Sequence, residues 1–225
     1  MLNKIIGFLT NTIAEIELPY VNKKFNLKDY FKIEQMLSEL KVPFAVVLVT
    51  TNGNIGSNFL IRTVNKLSPL KIKRKSNITH AIAYVDLIDG LRHRTVESIS
   101  EGLVEQRLLT SIGQRDEVII MKPVDTVLNE QVCKYVLEYI HSKVREDRKE
   151  NIEYDFDHDI LDPEKMDCSE LIFNALAYGY KKADQMMPLM PVERGMLGMK
   201  KLTFTPVDLQ HSPLFEVMYD SKVGL

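Results

Sequence analysis

The residues with the clearest chemical potential lie where a polar stretch becomes an apolar, helix-like run, at residues 166–173 (Met-Asp-Cys-Ser-Glu-Leu-Ile-Phe). Asp167 is a residue type that caps helices, and Glu170 three residues later completes the pattern of a capping box. This pattern predicts that Cys168 lies in the first turn of a helix, at the positive end of the helix dipole. The pKa of a thiol in that position can fall well below its free value of about 8.5, which prepares a nucleophile. The alternative interpretation is that Cys168 is a small apolar residue filling a gap between helix and sheet.

A cysteine nucleophile needs a base within hydrogen-bond reach, and the base needs a partner that orients it. The chain has five histidines. His93 lies between two arginines in a predicted charged loop, and His141 lies on the polar side of a predicted helix. His158 and His211 lie in polar turns. His80 begins an apolar strand, where a rigid backbone would hold the imidazole in place, so it is the predicted base, with a structural strand histidine as the alternative.

The elements that must position these residues follow from the spacing of the apolar residues. Helical spacing predicts helices at residues 1–16, 27–40, 59–67 and 126–148, and a Cys168 helix that ends near Gly179. Short apolar runs predict strands at residues 42–51, 80–86, 95–99, 118–121 and 215–218. The strands of His80 and Glu97 are separated by a short turn, which predicts a hairpin. Residues 186–199 form a predicted methionine-containing loop. Because the helices gather largely before and after the strands, the predicted class is α+β.

Composition excludes several classes of function. The chain has 225 residues, 45% hydrophobic and 27% charged, and its net charge of −2 predicts no nucleic-acid partner. Its two cysteines, Cys133 and Cys168, form no C-x-x-C pair, which excludes a cysteine zinc site and favours a reducing compartment. Residues 155–159 invite a calcium interpretation, but the glycine and glutamate that a calcium loop requires are replaced by Ile160 and Met166. We therefore predict no metal and no cofactor.

The sequence also predicts where the chain resides and how it is divided. No signal peptide and no run of about 18 apolar residues is present, so the predicted location is cytoplasmic, or outside the cell after lysis. No repeat or low-complexity linker divides the chain. We predict an N-terminal helical extension, residues 1–41, and one domain, residues 42–225. No particular oligomeric state is predicted.

Several stretches, taken in order, resemble the circularly permuted NlpC-like branch of the papain-like cysteine hydrolases, the YiiX-like proteins. They are residues 79–85, 96–103, 154–157 and 167–171, with a tail at 205–209 and 212–215. In that branch the histidine precedes the cysteine, as His80 precedes Cys168 here, and the order of a triad along the chain is irrelevant to its geometry. One departure is Ile82, where the branch usually has a small residue; this side chain could narrow the cleft or shift the strand. The resemblance covers residues 44–219.

The resemblance implies a fold and a role for each site residue. The fold would be papain-like, with a small antiparallel sheet packed against helices. Cys168 would be the nucleophile, and His80 the general base and then the acid. Glu97 would orient the imidazole, with Glu101 and Glu105 as competing candidates and a solvated strand charge as the alternative. The backbone N–H of Cys168 would form half of the oxyanion hole, and Tyr154 or a neighbouring residue would form the other half.

The function implied by the resemblance is a cysteine amidase or peptidase that acts through a thioester acyl-enzyme on cell-wall peptides or lipid-linked amides. The same pair of residues would serve a lipid acyltransferase or esterase, similar to lecithin:retinol acyltransferase-like proteins. A non-catalytic module that binds lipid or peptide and keeps the fold is the alternative from another class. The basic run Lys71, Lys73, Arg74 and Lys75 could contact an anionic surface or be a solvated loop.

Overall fold

The computed structural model describes residues 27–50, 78–88, 92–113, 115–150, 152–155, 160, 165–196 and 199–223. Several predicted features lie outside these residues. They are the helices at 1–16 and 59–67, the basic run at 71–75, and His158.

An antiparallel sheet forms the centre of the fold. The strands are β1 (Ala45–Val49), β2 (His80–Ile88), β3 (Arg92–Ile99), β4 (Gly102–Arg107), β5 (Val118–Pro123), β6 (Val192–Met196), β7 (Met199–Thr203) and β8 (Phe215–Asp220). Six of them form one sheet in the order β4-β3-β2-β1-β5-β8, and β6 pairs with β7 in a separate hairpin. The predicted pairing of the His80 and Glu97 strands is confirmed, since β2 and β3 are antiparallel neighbours with Ala83 opposite Val96.

Helices cover both faces of this sheet. They are α1 (Leu27–Ser38), α2 (Leu108–Ile112), α3 (Glu130–Glu150), α4 (Cys168–Lys182) and α5 (Pro206–Gln210). On one face, apolar residues of α3 and α4 form a core with Val46 and Leu48 of β1. On the other, α1 and α2 form a second core with the alternate β1 residues Ala45, Val47 and Val49. Alternate residues of β1 face opposite sides of the sheet, and each set packs against its own layer of helices. The α+β class is therefore confirmed.

None of the helices in the described ranges is both long enough and apolar enough to cross a lipid bilayer.

The prediction that His93 lies in a charged loop was wrong. Strand β3 begins at Arg92, three residues before the predicted start, and His93 is buried within it. Its Nδ1 shares a 2.7 Å hydrogen bond with the Tyr84 hydroxyl, and burial lowers the pKa of His93 to about 4. The ring is therefore neutral at physiological pH.

The predicted end of the cysteine helix at Gly179 was also wrong. The helix α4 continues to Lys182, because Gly179 lies inside it at a close crossing with α3. A Cβ atom at this position would lie 2.8 Å from Val136 Cγ2 and 2.9 Å from the Val132 carbonyl oxygen. The glycine is required by the packing of two helices rather than by a helix end.

The predicted loop at 186–199 contains structure that the sequence did not indicate. The strand β6 begins at Val192 and the hairpin continues into β7. In the segment before this hairpin, Met186 and Met190 are 92% and 76% exposed.

Candidate active site

Cys168 is the first residue of α4, and the residues around it form the predicted helix cap. The Asp167 side chain accepts hydrogen bonds from the backbone N–H groups of Ser169 (2.6 Å) and Glu170 (2.8 Å). The Glu170 side chain accepts the Asp167 N–H at 2.7 Å, which completes the capping box and confirms that prediction. The Cys168 N–H belongs to neither bond and lies at the positive end of the helix dipole.

His80 is the first residue of β2, and its partner is Glu97 on the adjacent strand β3. His80 Nε2 lies 2.7 Å from Glu97 Oε2, and both side chains are buried. A carboxylate only accepts hydrogen bonds, so Nε2 is the donor. The competing carboxylates are engaged elsewhere. Glu101 is exposed and accepts a hydrogen bond from Ser100, and Glu105 forms an ion pair with Arg94.

Cys168 lies close enough to His80 for its charge to act on the His80 ring. Burial on its own lowers the pKa of His80, but the charge of the Cys168 thiolate and the hydrogen bond to it act in the opposite direction. Together with Glu97 they raise the pKa of His80 to about 10. Because Nε2 donates to Glu97, Nδ1 is the ring nitrogen left for the sulfur.

Tyr154 lies against the same sulfur atom. Burial, the charge of the Cys168 thiolate, the neighbouring carboxylates and a hydrogen bond to Cys168 all raise the pKa of the Tyr154 hydroxyl. The hydroxyl therefore keeps its proton and is a hydrogen-bond donor beside Cys168. Whether Tyr154 and the Cys168 N–H act as a pair of oxyanion-hole donors stays a prediction.

Three carboxyl groups are buried at the start of α4: Asp155, Asp167 and Glu170. Burial and the charge of Asp167 raise the pKa of Glu170, the Asp167 backbone hydrogen bond lowers it, and Asp155 raises it further, to about 10. Glu170 is therefore a neutral acid at physiological pH. Its neutrality reduces the negative charge that would otherwise oppose a thiolate at Cys168.

We expect Glu170→Gln to make the stability of the protein less sensitive to pH. Glu170 keeps its proton in the fold but ionises near pH 4.5 when unfolded. Its contribution to stability is therefore complete below pH 4.5 and is lost as the pH rises towards 10. Glutamine retains the oxygen that accepts the Asp167 N–H and cannot ionise. Between pH 5 and 9 the melting temperature of the variant should decline less steeply than that of the wild type, and equal slopes would contradict this assignment.

Polar residues that the sequence did not single out surround the other oxygen of Glu97. Gln106 Nε2 on β4 donates to Glu97 Oε1, and Ser111 Oγ on α2 donates to the same oxygen at 3.1 Å. Arg115 Nη2 lies 3.8 Å from Glu97 Oε2. Burial raises the pKa of Glu97, but His80, Arg115 and Ser111 outweigh it and lower that pKa. Glu97 is therefore a carboxylate within the fold. Neither β4 nor α2 was predicted, because their short mixed sequences have no clear apolar period.

The other cysteine and two further described histidines belong to other elements of the fold. Cys133 is buried in α3, where burial and the charges of Asp125 and Glu130 raise the pKa of its thiol to about 12. It is a protonated, unreactive side chain at physiological pH. His141 is on α3 and His211 is the exposed C-cap of α5. Among the described residues, no group of three or more His, Cys, Asp or Glu side chains is arranged to hold a metal ion.

Comparison of the chain with protein-family models, with curated proteins and with solved structures found no match.

Proposed function

We propose that the chain is a cysteine hydrolase that cleaves an amide, as an amidase or peptidase, through a thioester on Cys168. The observation that carries the proposal is one imidazole that is paired with a carboxylate and lies close to a thiol. His80 donates from Nε2 to Glu97 at 2.7 Å, and the charge of Cys168, at the start of a capped helix, acts on the same ring. A nucleophile, a base and an orienting carboxylate are the parts that such chemistry needs.

The arrangement also supports a permuted papain-like fold as part of the proposal. The nucleophile begins a helix that packs on an antiparallel sheet, and the base and its carboxylate lie on adjacent strands of that sheet. Both strands precede the helix in the chain, which is the order of the permuted branch. Cell-wall peptides and lipid-linked amides are the substrate classes that the resemblance to this branch suggests.

Each residue has a defined part in the proposed reaction. His80 Nδ1 takes the proton of the Cys168 thiol, and the thiolate attacks the amide carbonyl carbon. The Cys168 N–H and the Tyr154 hydroxyl stabilise the oxyanion that forms. The imidazolium then gives its proton to the leaving amine as the C–N bond breaks, which leaves a thioester. Water, activated by His80, hydrolyses this thioester and regenerates the thiol.

Access to the sulfur sets a condition on the substrate. Cys168 is 2% exposed and His80 is 6% exposed. Both residues therefore offer a substrate carbonyl very little accessible surface. A small thiol reagent is accordingly the better first probe of the site.

Alkylation with iodoacetamide at a series of pH values tests the proposal without a known substrate. A free thiol with a pKa of about 8.5 is only about 0.3% thiolate at pH 6. Because burial lowers the rate at every pH alike, each rate is compared with the rate of the same thiol at pH 9. A Cys168 that forms an ion pair with His80 should keep at pH 6 a fraction of this rate at least about tenfold larger than a free thiol peptide does. Cys133 is the internal control and should remain unmodified in the folded protein, as mapped by mass spectrometry.

The outcome separates an enzyme from a binding module. If the rate at Cys168 falls between pH 9 and pH 6 as steeply as that of the free thiol, the site is not an activated nucleophile and a non-catalytic module is favoured. If the rate is retained at pH 6, the wild type and Cys168→Ser should be screened against peptide and lipid amides. Acid quenching would then trap an acyl group on the wild-type sulfur as a mass increase at Cys168.

A further inference from the structure

The Glu97 carboxylate is held by donors on the side facing away from His80. Its Oε1 accepts hydrogen bonds from Gln106 Nε2 and from Ser111 Oγ, while its Oε2 faces His80. Glu97 is 1% exposed and Ser111 is fully buried. Within the described residues, the two oxygens of Glu97 therefore have different partners, and a rotation that exchanged them would break all three hydrogen bonds.

The direction of each hydrogen bond in this cluster follows from the number of protons available. Ser111 has one hydroxyl proton, and it goes to Glu97 because a carboxylate only accepts. Ser111 Oγ then accepts from Gln106 Nε2 at 3.1 Å and from Thr95 Oγ1 at 2.7 Å. Gln106 uses its two amide protons for Glu97 and Ser111. All of these hydrogen bonds can form together when Glu97 is ionised. A proton on Oε1 would instead point towards the two groups that donate to this oxygen, and at least one of their hydrogen bonds would be lost.

Arg115 links the same cluster to the end of α2. Its Nε donates to the Ser111 carbonyl oxygen at 2.9 Å, and its Nη2 lies 3.8 Å from Glu97 Oε2. The guanidinium thus fixes the backbone that carries Ser111 and places a positive charge near the carboxylate. The charged neighbours of Glu97 are His80 and Arg115.

We propose that Ser111 and Gln106 are positioning residues for the Cys168–His80 pair, acting by keeping Glu97 ionised and aimed at His80 Nε2. This inference rests on the proposed function, in which the imidazole accepts the thiol proton. A carboxylate that turned away or became protonated would no longer fix the ring with Nδ1 towards the sulfur. Neither residue touches the reacting atoms, so each acts only through Glu97.

The test compares Ser111→Ala and Gln106→Ala with the wild type in the rate of Cys168 alkylation between pH 4 and 9. Each variant removes one donor to Oε1. We expect the rate at pH 6 to fall about 10- to 100-fold, the factor that corresponds to a hydrogen bond to a charged group. We also expect the acid limb of the profile to move to higher pH, because Glu97 protonates more easily with one donor fewer.

Ser142→Ala is the matched control. Ser142 Oγ donates to the Tyr139 carbonyl oxygen at 2.7 Å on α3, so the variant removes a partly buried serine hydrogen bond outside the cluster. Its rate and profile should equal those of the wild type. Gln106 is only partly buried, so Gln106→Ala tests the inference if the fully buried Ser111→Ala does not fold.

The possible outcomes separate this inference from the function on which it rests. If wild-type Cys168 reacts like a free thiol, the proposed function fails. If the wild type is activated but neither variant differs from it, the positioning role fails and the function stands. A slower rate with an unchanged acid limb would indicate general loss of structure and would also overturn the positioning role. A slower rate with a shifted limb supports it.

Discussion

Replacing His80 with alanine is expected to lower the rate of amide cleavage by roughly 10²–10⁴-fold, the contribution usual for a positioned general base. It should also remove the rapid alkylation of Cys168 at pH 6. Both effects have the same cause, since the imidazole that accepts the thiol proton also stabilises the thiolate as an imidazolium. The pKa of about 10 for His80 predicts that its imidazolium persists in the wild type as the pH rises towards that value.

The control for this variant is His141→Ala, which removes a histidine from α3 outside the cluster. Alkylation by iodoacetamide and hydrolysis of any amide found by screening are the two measurements, and circular dichroism would establish that both variants fold. Equal alkylation rates for His80→Ala and wild type at pH 6 would mean that His80 does not increase the reactivity of Cys168. The proposed mechanism would then be untenable.

The cap of the cysteine helix could be predicted because its interactions are local. Asp167 and Glu170 are three residues apart, and each side chain bonds the backbone of the other. Two residue types at a fixed spacing therefore determine the geometry almost independently of the rest of the fold. The neighbouring positions of His80 and Glu97 were accessible for a similar reason, since a short turn between two apolar strands predicts a hairpin.

The surroundings of Glu97 could not be predicted because they depend on contacts between distant elements. Ser111 and Gln106 are polar residues in short elements, and their sequence is equally typical of an exposed loop. Their burial depends on where β4 pairs with β3 and where α2 packs on the sheet. These are tertiary contacts, which no local pattern encodes.

The burial of His93 was not predicted, because the prediction considered the residues beside it in the sequence and not the residues that it contacts in the fold. Alternate residues of a strand face opposite sides, so the next residue, Arg94, does not share the environment of the ring. His93 lies on the same side of β3 as Glu97, against Tyr84 of β2. If the predicted strand had begun at Arg92 instead of Thr95, the alternation of its residues would have placed His93 on the same face as Glu97.

The substitution Glu97→Gln is expected to reduce activity by about 10⁴-fold, the loss found when the orienting carboxylate of a serine-protease triad becomes an amide. Ser111 and Gln106 both donate towards the Oε1 position, so the glutamine should turn its carbonyl oxygen to them. Its NH₂ group would then face His80 Nε2 and require that nitrogen to accept. The ring proton would move to Nδ1, where it blocks transfer from the Cys168 thiol.

This tautomer change gives Glu97→Gln a signature that simple loss of packing would not produce. The size of the side chain is nearly unchanged, so the melting temperature should stay close to that of the wild type while alkylation at pH 6 slows. In ¹⁵N NMR of the histidine rings, the protonated nitrogen of His80 should change from Nε2 to Nδ1 at a pH where the ring is neutral. The matched control is Glu101→Gln, since Glu101 is exposed and bonds Ser100, and this variant should behave as the wild type. Rapid alkylation and an Nε2-protonated ring in Glu97→Gln would show that the carboxylate does not set the state of His80.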